Sequence, residues 1–388
     1  LVKLGFVQSV LDKALFFYYE MDRLVLVLGA HVDDLLGTGK PGVSDAILGK
    51  VRAIFDFGAW ADSREDEVLE YGGKQIKKMG GRVYLNQSKF IRAMTSLSLP
   101  RWRTATPTSP LLPAEMTDLR SAGGSLHWLV NQTRPDLAAG TSLSMSGSPT
   151  VANLVELNKL LKEAKRSEDW SLAFVPIDLE KAFIVTYTDA SWANAEELKS
   201  QAGYLTFITG PEVQTPAGDA ASLLDWRSHR IKRQCRSTLA AETMSLDAGF
   251  DSGIFLRELL AEALIKDYNP VQSGRLPTHF VPVMPVTDCR SLYDLLTKDG
   301  PVAATQEKRL TLDLGAIRES AQEFDPDQEN LKDTFKWVDT NSQLADHLTK
   351  QKPPHLLREL LDLNRVALQA TDRTEDAAKS LPHGPEDH

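Results

Sequence analysis

Apolar and polar positions change their spacing along this chain, and the changes divide it into stretches of different structure. Residues 23–30 (RLVLVLGA) form a β-branched and leucine-rich run, which predicts a buried strand. It leads into His31-Val32-Asp33-Asp34 and a second apolar run; adjacent acids between two such runs suit a hairpin tip, where Asp tolerates turn geometry. Across 45–60, Ala46, Ile47, Val51, Ile54 and Phe55 recur at helical spacing. Pro100, Pro107, Pro110 and Pro113 then interrupt any long helix, and a domain boundary is expected there. Residues 117–166 read as helix in two pieces. They part around Thr133-Arg134-Pro135-Asp136, because Pro135 disfavours helix at Arg134 and favours a start just after it. Trp128 and Trp170 are expected in the core of that region.

From residue 183 the period shortens to two. Residues 183–188, 202–209 and 221–227 predict three strands, with Val185, Tyr187 and Asp189 on one side of the first. Residues 237–263 predict a long helix, 281–287 a fourth strand, and 291–298 and 306–324 two further helices. A fifth strand is expected at 334–338. Thr340 and Gln343 then offer a capping box for a last helix that contains Asp346. The expected order is β-β-β-α-β-α-α-β-α.

Four carboxylates fall at telling places in this order. Asp189 and Asp288 end apolar strands, Glu242 lies on the long helix, and Asp346 sits in the first turns of the last one. Leu246, Gly249, Phe250 and Gly253 share the face of Glu242. A glutamate on such a stripe is costly to bury unpaired, and either a metal or a buried basic partner resolves that cost. Carboxylates gathered at strand ends and helix faces suit a pair of hard divalent ions, which take oxygen ligands and assist phosphodiester cleavage. Asp339, in the turn before the last helix, competes with Asp346 for the fourth place.

Composition narrows the setting. The chain has 388 residues, which favours two or three domains. No apolar run approaches a membrane span, and nothing at the start resembles a signal peptide. Two cysteines exclude a disulfide framework or zinc ribbon, so an intracellular place, cytoplasm or nucleus, is expected. The first residue is Leu, so a fragment of a longer protein is expected. A net charge of −9 argues against nucleic-acid binding in general. Residues 227–236 (RSHRIKRQCR) nevertheless gather Arg227, Arg230, Lys232, Arg233 and Arg236. Such a patch matters more for phosphate contact than the total does, although a solvated loop is the plainer reading.

Several passages carry a resemblance. GFVQSVLDKALF (5–16), HVDDLLGTG (31–39), YLNQSKFIRAM (84–94) and TRPDLA (133–138) are followed by TDASW, KSQAGYLTF, STLAAETMS, VTDCRS and QLADHLTK. In this order they resemble the C-terminal part of copia-type retrotransposon polyproteins, a partial reverse transcriptase followed by an RNase H domain. The resemblance implies an α/β fold with an α+β front. An RNase H-like five-stranded mixed sheet flanked by helices would occupy 181–352. A partial reverse-transcriptase palm with the HVDD hairpin would precede it at 1–100, and a helical thumb or connection at 101–180. A short helix and a disordered acidic tail are expected over 353–388.

The same resemblance implies roles. Asp189 would bridge two Mg²⁺ or Mn²⁺ ions, Glu242 and Asp288 would complete one shell, and Asp346 the other. The substrate implied is the RNA strand of an RNA–DNA hybrid, with Arg227, Arg230, Lys232, Arg233 and Arg236 along its phosphates. Asp33 and Asp34 match the paired acids of the polymerase motif, with His31 in place of its tyrosine. The third polymerase Asp has no counterpart among the residues before them, so this chain alone is not expected to polymerise DNA. A partner supplying the missing N-terminal polymerase portion is one expectation. The alternative to a working nuclease is a decayed retroelement copy that binds nucleic acid without cutting it.

Overall fold

The computed structural model describes residues 1–145, 147–195, 198–271, 281–302, 305–322 and 333–368. Its largest sheet grows from the period-two run. Strands β1 (Phe183–Ala195), β2 (Lys199–Thr209) and β3 (Asp219–Arg230) pair antiparallel in sequence. On the other side of β1 lie β4 (Val283–Thr287) and β5 (Lys336–Trp337), both parallel to it. Parallel pairing needs a crossover. Helix α1 (Thr238–Leu264) supplies the first, and α2 (Arg290–Thr297) with α3 (Lys308–Gln322) the second. β1 is therefore central and covered on both faces, which is why Ile184 to Thr188 are all buried.

The expected five strands become six. Helix α4 (Pro354–Asp362) is followed by β6 (Arg365–Val366), which pairs with Asp219 and Ala220 of β3 and extends the sheet. A two-residue strand made by long-range pairing leaves no periodicity to read. The acidic tail beyond Thr371, expected to be disordered, lies outside the described residues.

The last predicted helix is also corrected. Thr340 and Gln343 form no capping box; Asp339 caps a short turn at Thr340–Ser342, and Asp346 lies in a separate 3-10 turn, Leu344–Leu348. The Gln343 side chain accepts from the Ala345 amide and donates to the Thr188 carbonyl at 3.0 Å, which ties the turn to β1. Ser228 of β3 donates to the Leu348 carbonyl at 2.6 Å, so the segment is held against the sheet at both ends as a short turn.

Helix α1 starts at Ser237, whose hydroxyl accepts from the Ala240 amide. Two glycines set its distance from the sheet. A Cβ on Gly249 would stand 2.5 Å from Cγ2 of Thr188, and one on Gly253 2.5 Å from Cγ1 of Val283. The helix thus lies directly on β1 and β4.

The front of the chain makes a four-stranded antiparallel sheet, Val7–Gln8, Leu15–Glu20, Arg23–His31 and Asp34–Gly39, with the helix Val43–Ile54 against it. His31 pairs with Asp34 across the tip, and Val32 turns the chain at a φ of 53°. This sheet is fastened to α1: Ser9 donates to Glu262 at 2.6 Å, the Val10 amide donates to the same carboxylate, and Tyr19 donates to the Glu262 carbonyl at 3.0 Å.

A second small sheet joins Leu69–Tyr71, Lys74–Met79 and Arg82–Asn86 to Leu172–Phe174. The intervening helices Pro113–Val130, Ala138–Ser144 and Val151–Arg166 share one apolar core with the main sheet, in which Ile91, Leu126 and Leu157 join Tyr187 and Leu205. That core runs without a break past positions 100 and 180. Trp170 packs against it. Trp128, expected in the core, is instead 40% exposed, with the Lys74 ammonium 5.8 Å from its ring centre. The TRPD passage is a structural tie: buried Arg134 donates twice to Asp136, and Arg358 of α4 bridges Asp136 and Glu163 at 2.7 Å each. No described helix is long and apolar enough to cross a membrane.

Close approach of α1 to the sheet predicts opposite effects for two glycine-to-alanine changes. Gly249→Ala should lower the urea-unfolding free energy by about 1–3 kcal/mol through overpacking. Gly315→Ala, on α3 with open space around it, should raise it by about 0.4–1 kcal/mol. Equal effects would contradict the packing described.

Candidate active site

Each acid of the site is delivered by a different element. Asp189 comes from β1, opposite Gly203 of β2. Its backbone carbonyl accepts from the Ser245 hydroxyl of α1 at 2.7 Å, which fixes strand and helix at this level. Glu242 reaches in from the first turns of α1, and the Ala190 amide hydrogen-bonds its carboxyl. Asp288 follows the last residue of β4, and its carbonyl accepts from the Trp337 indole at 3.0 Å. One oxygen from each of Asp189, Glu242 and Asp288 lies within 4.8 Å of the others. Three of the four expected acids therefore meet beside the end of β4; Asp189, expected to end its strand, instead lies within β1, which runs on to Ala195.

Asp346 lies beside them and outside that triad. Its two oxygens are held by the ammonium groups of Lys350 and Lys352. Burial raises its carboxyl, but these ammonium groups outweigh it and hold the group below the usual range. Lys350 faces the whole cluster. Burial works against its charge, while Asp346, Asp189 and Asp288 overcome that and raise its pKa. Asp339, the rival for the fourth place, spends its carboxylate on the Asn341 amide and the Ser342 hydroxyl.

The triad is electrostatically uneasy. Burial pushes Asp189 up to about 6, aided by Asp288 and Asp346 and opposed by Thr349 and Lys350. Burial raises Glu242 well above the carboxylate range, and the charges of Asp189 and Asp288 add to it. The Glu242 Oε2 atom is buried and has no hydrogen-bond partner. An orphaned, buried carboxylate oxygen beside two more carboxylates is the donor set a hard divalent cation takes. The residues fit such an ion.

The remaining expected residues are placed as follows. Asp33 and Asp34 are exposed at the front hairpin tip and gather no third acid among the described residues. Arg227 is exposed on β3, and Arg230 is partly exposed at its end. Lys232 is exposed, and its carbonyl accepts from Lys199 at 2.9 Å. Arg236 is exposed just before the cap of α1. Arg233 pairs with Asp313 of α3 at 2.9 Å, so its charge is engaged within the fold. His347 is held low, at about 4, by burial and Lys352, and stays neutral at physiological pH. Sequence reasoning missed Ser245, Gly203, Thr349, Lys350 and Lys352, and gave Gln343 a capping role in place of its tie to β1. The one available signal was the Thr349-Lys350 pair that ends QLADHLTK.

No family model matches the chain. Over 139 residues it is 27% identical to secreted RxLR effector protein 161 of Plasmopara viticola, a stretch covering 35% of this chain and 89% of that protein. Solved structures similar to it include the N-terminal RNase H domain of Rv2228c from Mycobacterium tuberculosis, at 15% identity, 47% of this chain, 97% of that one and a TM-score of 0.26. LC11-RNase H1 in complex with an RNA/DNA hybrid is similar at 16% identity, 45% of this chain, 99% of that one and a TM-score of 0.28. The foamy viral protease-reverse transcriptase in complex with dsDNA is similar at 12% identity over 80% of this chain and 55% of that one, with a TM-score of 0.26.

The raised Asp189 gives a pH signature. Its folded value, about 6, lies above the ordinary aspartate value of 3.8. Its protonation therefore favours the fold below about pH 4, and that contribution is lost as pH rises through about 6. Without divalent ions, the melting temperature of Asp189→Asn should gain on that of the unsubstituted chain between pH 4 and 7. Mn²⁺ should reverse the order at pH 7, because only the ionised acid is a ligand. Parallel melting curves would refute the assignment.

Proposed function

We propose that this chain is an RNase H-type endonuclease of retroelement origin that cleaves the RNA strand of RNA–DNA hybrids. The observation that carries the reading is the convergence of Asp189, Glu242 and Asp288, with Glu242 Oε2 buried and unpartnered. Three features support the specific type. The sheet is three antiparallel strands followed by two parallel ones. The acids come in the order strand, helix, strand end. A fourth acid, Asp346, arrives on the segment after the fifth strand. The motif resemblance to copia-type elements supplies the origin.

Asp189, Glu242 and Asp288 would hold Mg²⁺ or Mn²⁺, and Asp346 would complete a second position once Lys350 and Lys352 release it. When bound, such ions lower the pKa of an attacking water and stabilise the leaving 3′ oxygen. The chain's own part is to orient the acids and place the strand. Arg227, Arg230, Lys232 and Arg236 would contact hybrid phosphates, which position the duplex without reading its sequence. Discrimination of RNA from DNA would come from 2′-hydroxyl contacts in the minor groove. An intracellular setting, where RNA–DNA hybrids form, fits this substrate. Polymerase activity is outside the proposal, and primer extension by this chain alone is expected to yield no product.

The deciding experiment is cleavage of a labelled RNA–DNA hybrid with Mg²⁺ or Mn²⁺, with double-stranded DNA as control. Asp189→Asn and Asp288→Asn should each lower the rate at least about a hundredfold, since even indirect supports of a metal site cost 10–100-fold. Cleavage equal in all three proteins, or none in the unsubstituted chain, would overturn the nuclease reading. In the second case, retained hybrid binding would favour the decayed copy.

A further inference from the structure

Asp189 receives a hydrogen bond from a residue that no motif reading assigns. The Thr349 hydroxyl donates to Asp189 Oδ2, and Thr349 is fully buried. A second acceptor, the Asp346 carbonyl, stands 3.4 Å away, a longer and weaker contact. The segment that carries this hydroxyl is pinned at three points. Gln343 donates to the Thr188 carbonyl, one residue before Asp189, at 3.0 Å. Ser228 of β3 donates to the Leu348 carbonyl at 2.6 Å. Gly203, paired with Asp189 across β2, has no side chain; a Cβ there would stand 2.5 Å from Leu348 Cβ and 3.2 Å from Thr349 Cγ2. The turn therefore lies directly on the sheet beside the acid, and the hydroxyl is aimed by structure on both sides.

We propose that Thr349 is a positioning residue for Asp189: its hydroxyl holds Oδ2 and so fixes the carboxylate toward Glu242 and Asp288 for a divalent cation. The inference rests on the reading of the acids as a metal site. A free aspartate rotates about its side-chain bonds, and an ion must first immobilise it. A buried donor that immobilises it beforehand leaves less ordering for the ion to impose, which is how partners behind a metal ligand commonly raise affinity. Thr349 suits the task because its methyl group packs toward Gly203 while its hydroxyl faces the acid. Lys350, next in sequence, occupies Asp346, so consecutive residues serve two different acids.

The test is Mn²⁺ affinity, measured by titration calorimetry on the full chain without nucleic acid, alongside thermal unfolding. Thr349→Val keeps the shape and removes the donor, and Mn²⁺ binding should weaken about 10–100-fold. Thr349→Ser keeps the donor and removes the methyl; it should bind within about threefold of the unsubstituted chain, less than the cost of losing a supporting partner. A purely structural role would lower the melting temperature in both variants and leave Mn²⁺ affinity unchanged. That result, or equal affinity in Thr349→Val and the unsubstituted chain, would overturn the proposal. Should Thr349→Val not fold, Thr349→Ala carries the same comparison. Asp189→Asn is the control: if it binds Mn²⁺ as the unsubstituted chain does, the site reading falls and this inference with it. If only Asp189→Asn loses binding, the site stands and Thr349 has no part in it.

Discussion

Mutual repulsion among Asp189, Glu242 and Asp288 is the constraint that the rest of the structure answers. Their oxygens lie within 4.8 Å of one another, and two of the three side chains are buried. Like charges at that separation and away from water favour the protonated acids, which is the direction in which Asp189 and Glu242 are pushed. Such a cluster does not assemble by its own attractions. It persists because backbone elements with other reasons to pack deliver one acid each: a central strand, a helix laid on it, and the end of a parallel neighbour. The Lys350 ammonium eases the repulsion on one side. Glu242 Oε2 is buried and without a hydrogen-bond partner.

Helix α1 ties this centre to the front of the chain. Glu242 lies in its first turns, while Glu262, near its end, holds Ser9 and the Val10 amide of the front sheet. At 1.5 Å per residue the two glutamates stand roughly 30 Å apart on one rigid element. One acid belongs to the acidic cluster and the other to the attachment of the front sheet. The helix keeps its place because Gly249 and Gly253 let it lie close on β1 and β4. The front sheet, whose hairpin carries Asp33 and Asp34, and the acidic centre thus touch opposite ends of one helix, and the hairpin contributes no described group to that centre.

The buried ion pairs serve the same end by different means. Arg134, Asp136, Arg358 and Glu163 join the connecting helices to α4, which leads into β6 at the far edge of the main sheet. A network whose members are all paired specifies one arrangement of those helices, whereas an apolar contact would tolerate several. Basic residues on the surface are divided between fold and solvent: Arg233 is committed to Asp313, while Arg227, Lys232 and Arg236 are exposed.

Local chemistry along the chain was enough to indicate the order of the main strands and helices, the hairpin at His31–Asp34, and four candidate acids; that Asp189, Glu242 and Asp288 come together is shown by the tertiary structure. Alternation, helical spacing and capping are properties of near neighbours, and they mark Glu242 on a helix face and Asp288 at a strand end, whereas Asp189 lies within a strand that runs on to Ala195. What needed the tertiary structure was every relation between distant segments. Period counting could not show β6, because two residues form a strand only when an edge is offered to them. It could not show that the segment around Asp346 stops at a 3-10 turn, because Gln343 and Ser228 hold it against the sheet. Nor could it distinguish Arg233, paired, from its exposed neighbours. The partnership of Thr349 with Asp189 joins residues 160 positions apart, and a hydrogen bond depends on where two atoms end up in space, which no local pattern encodes.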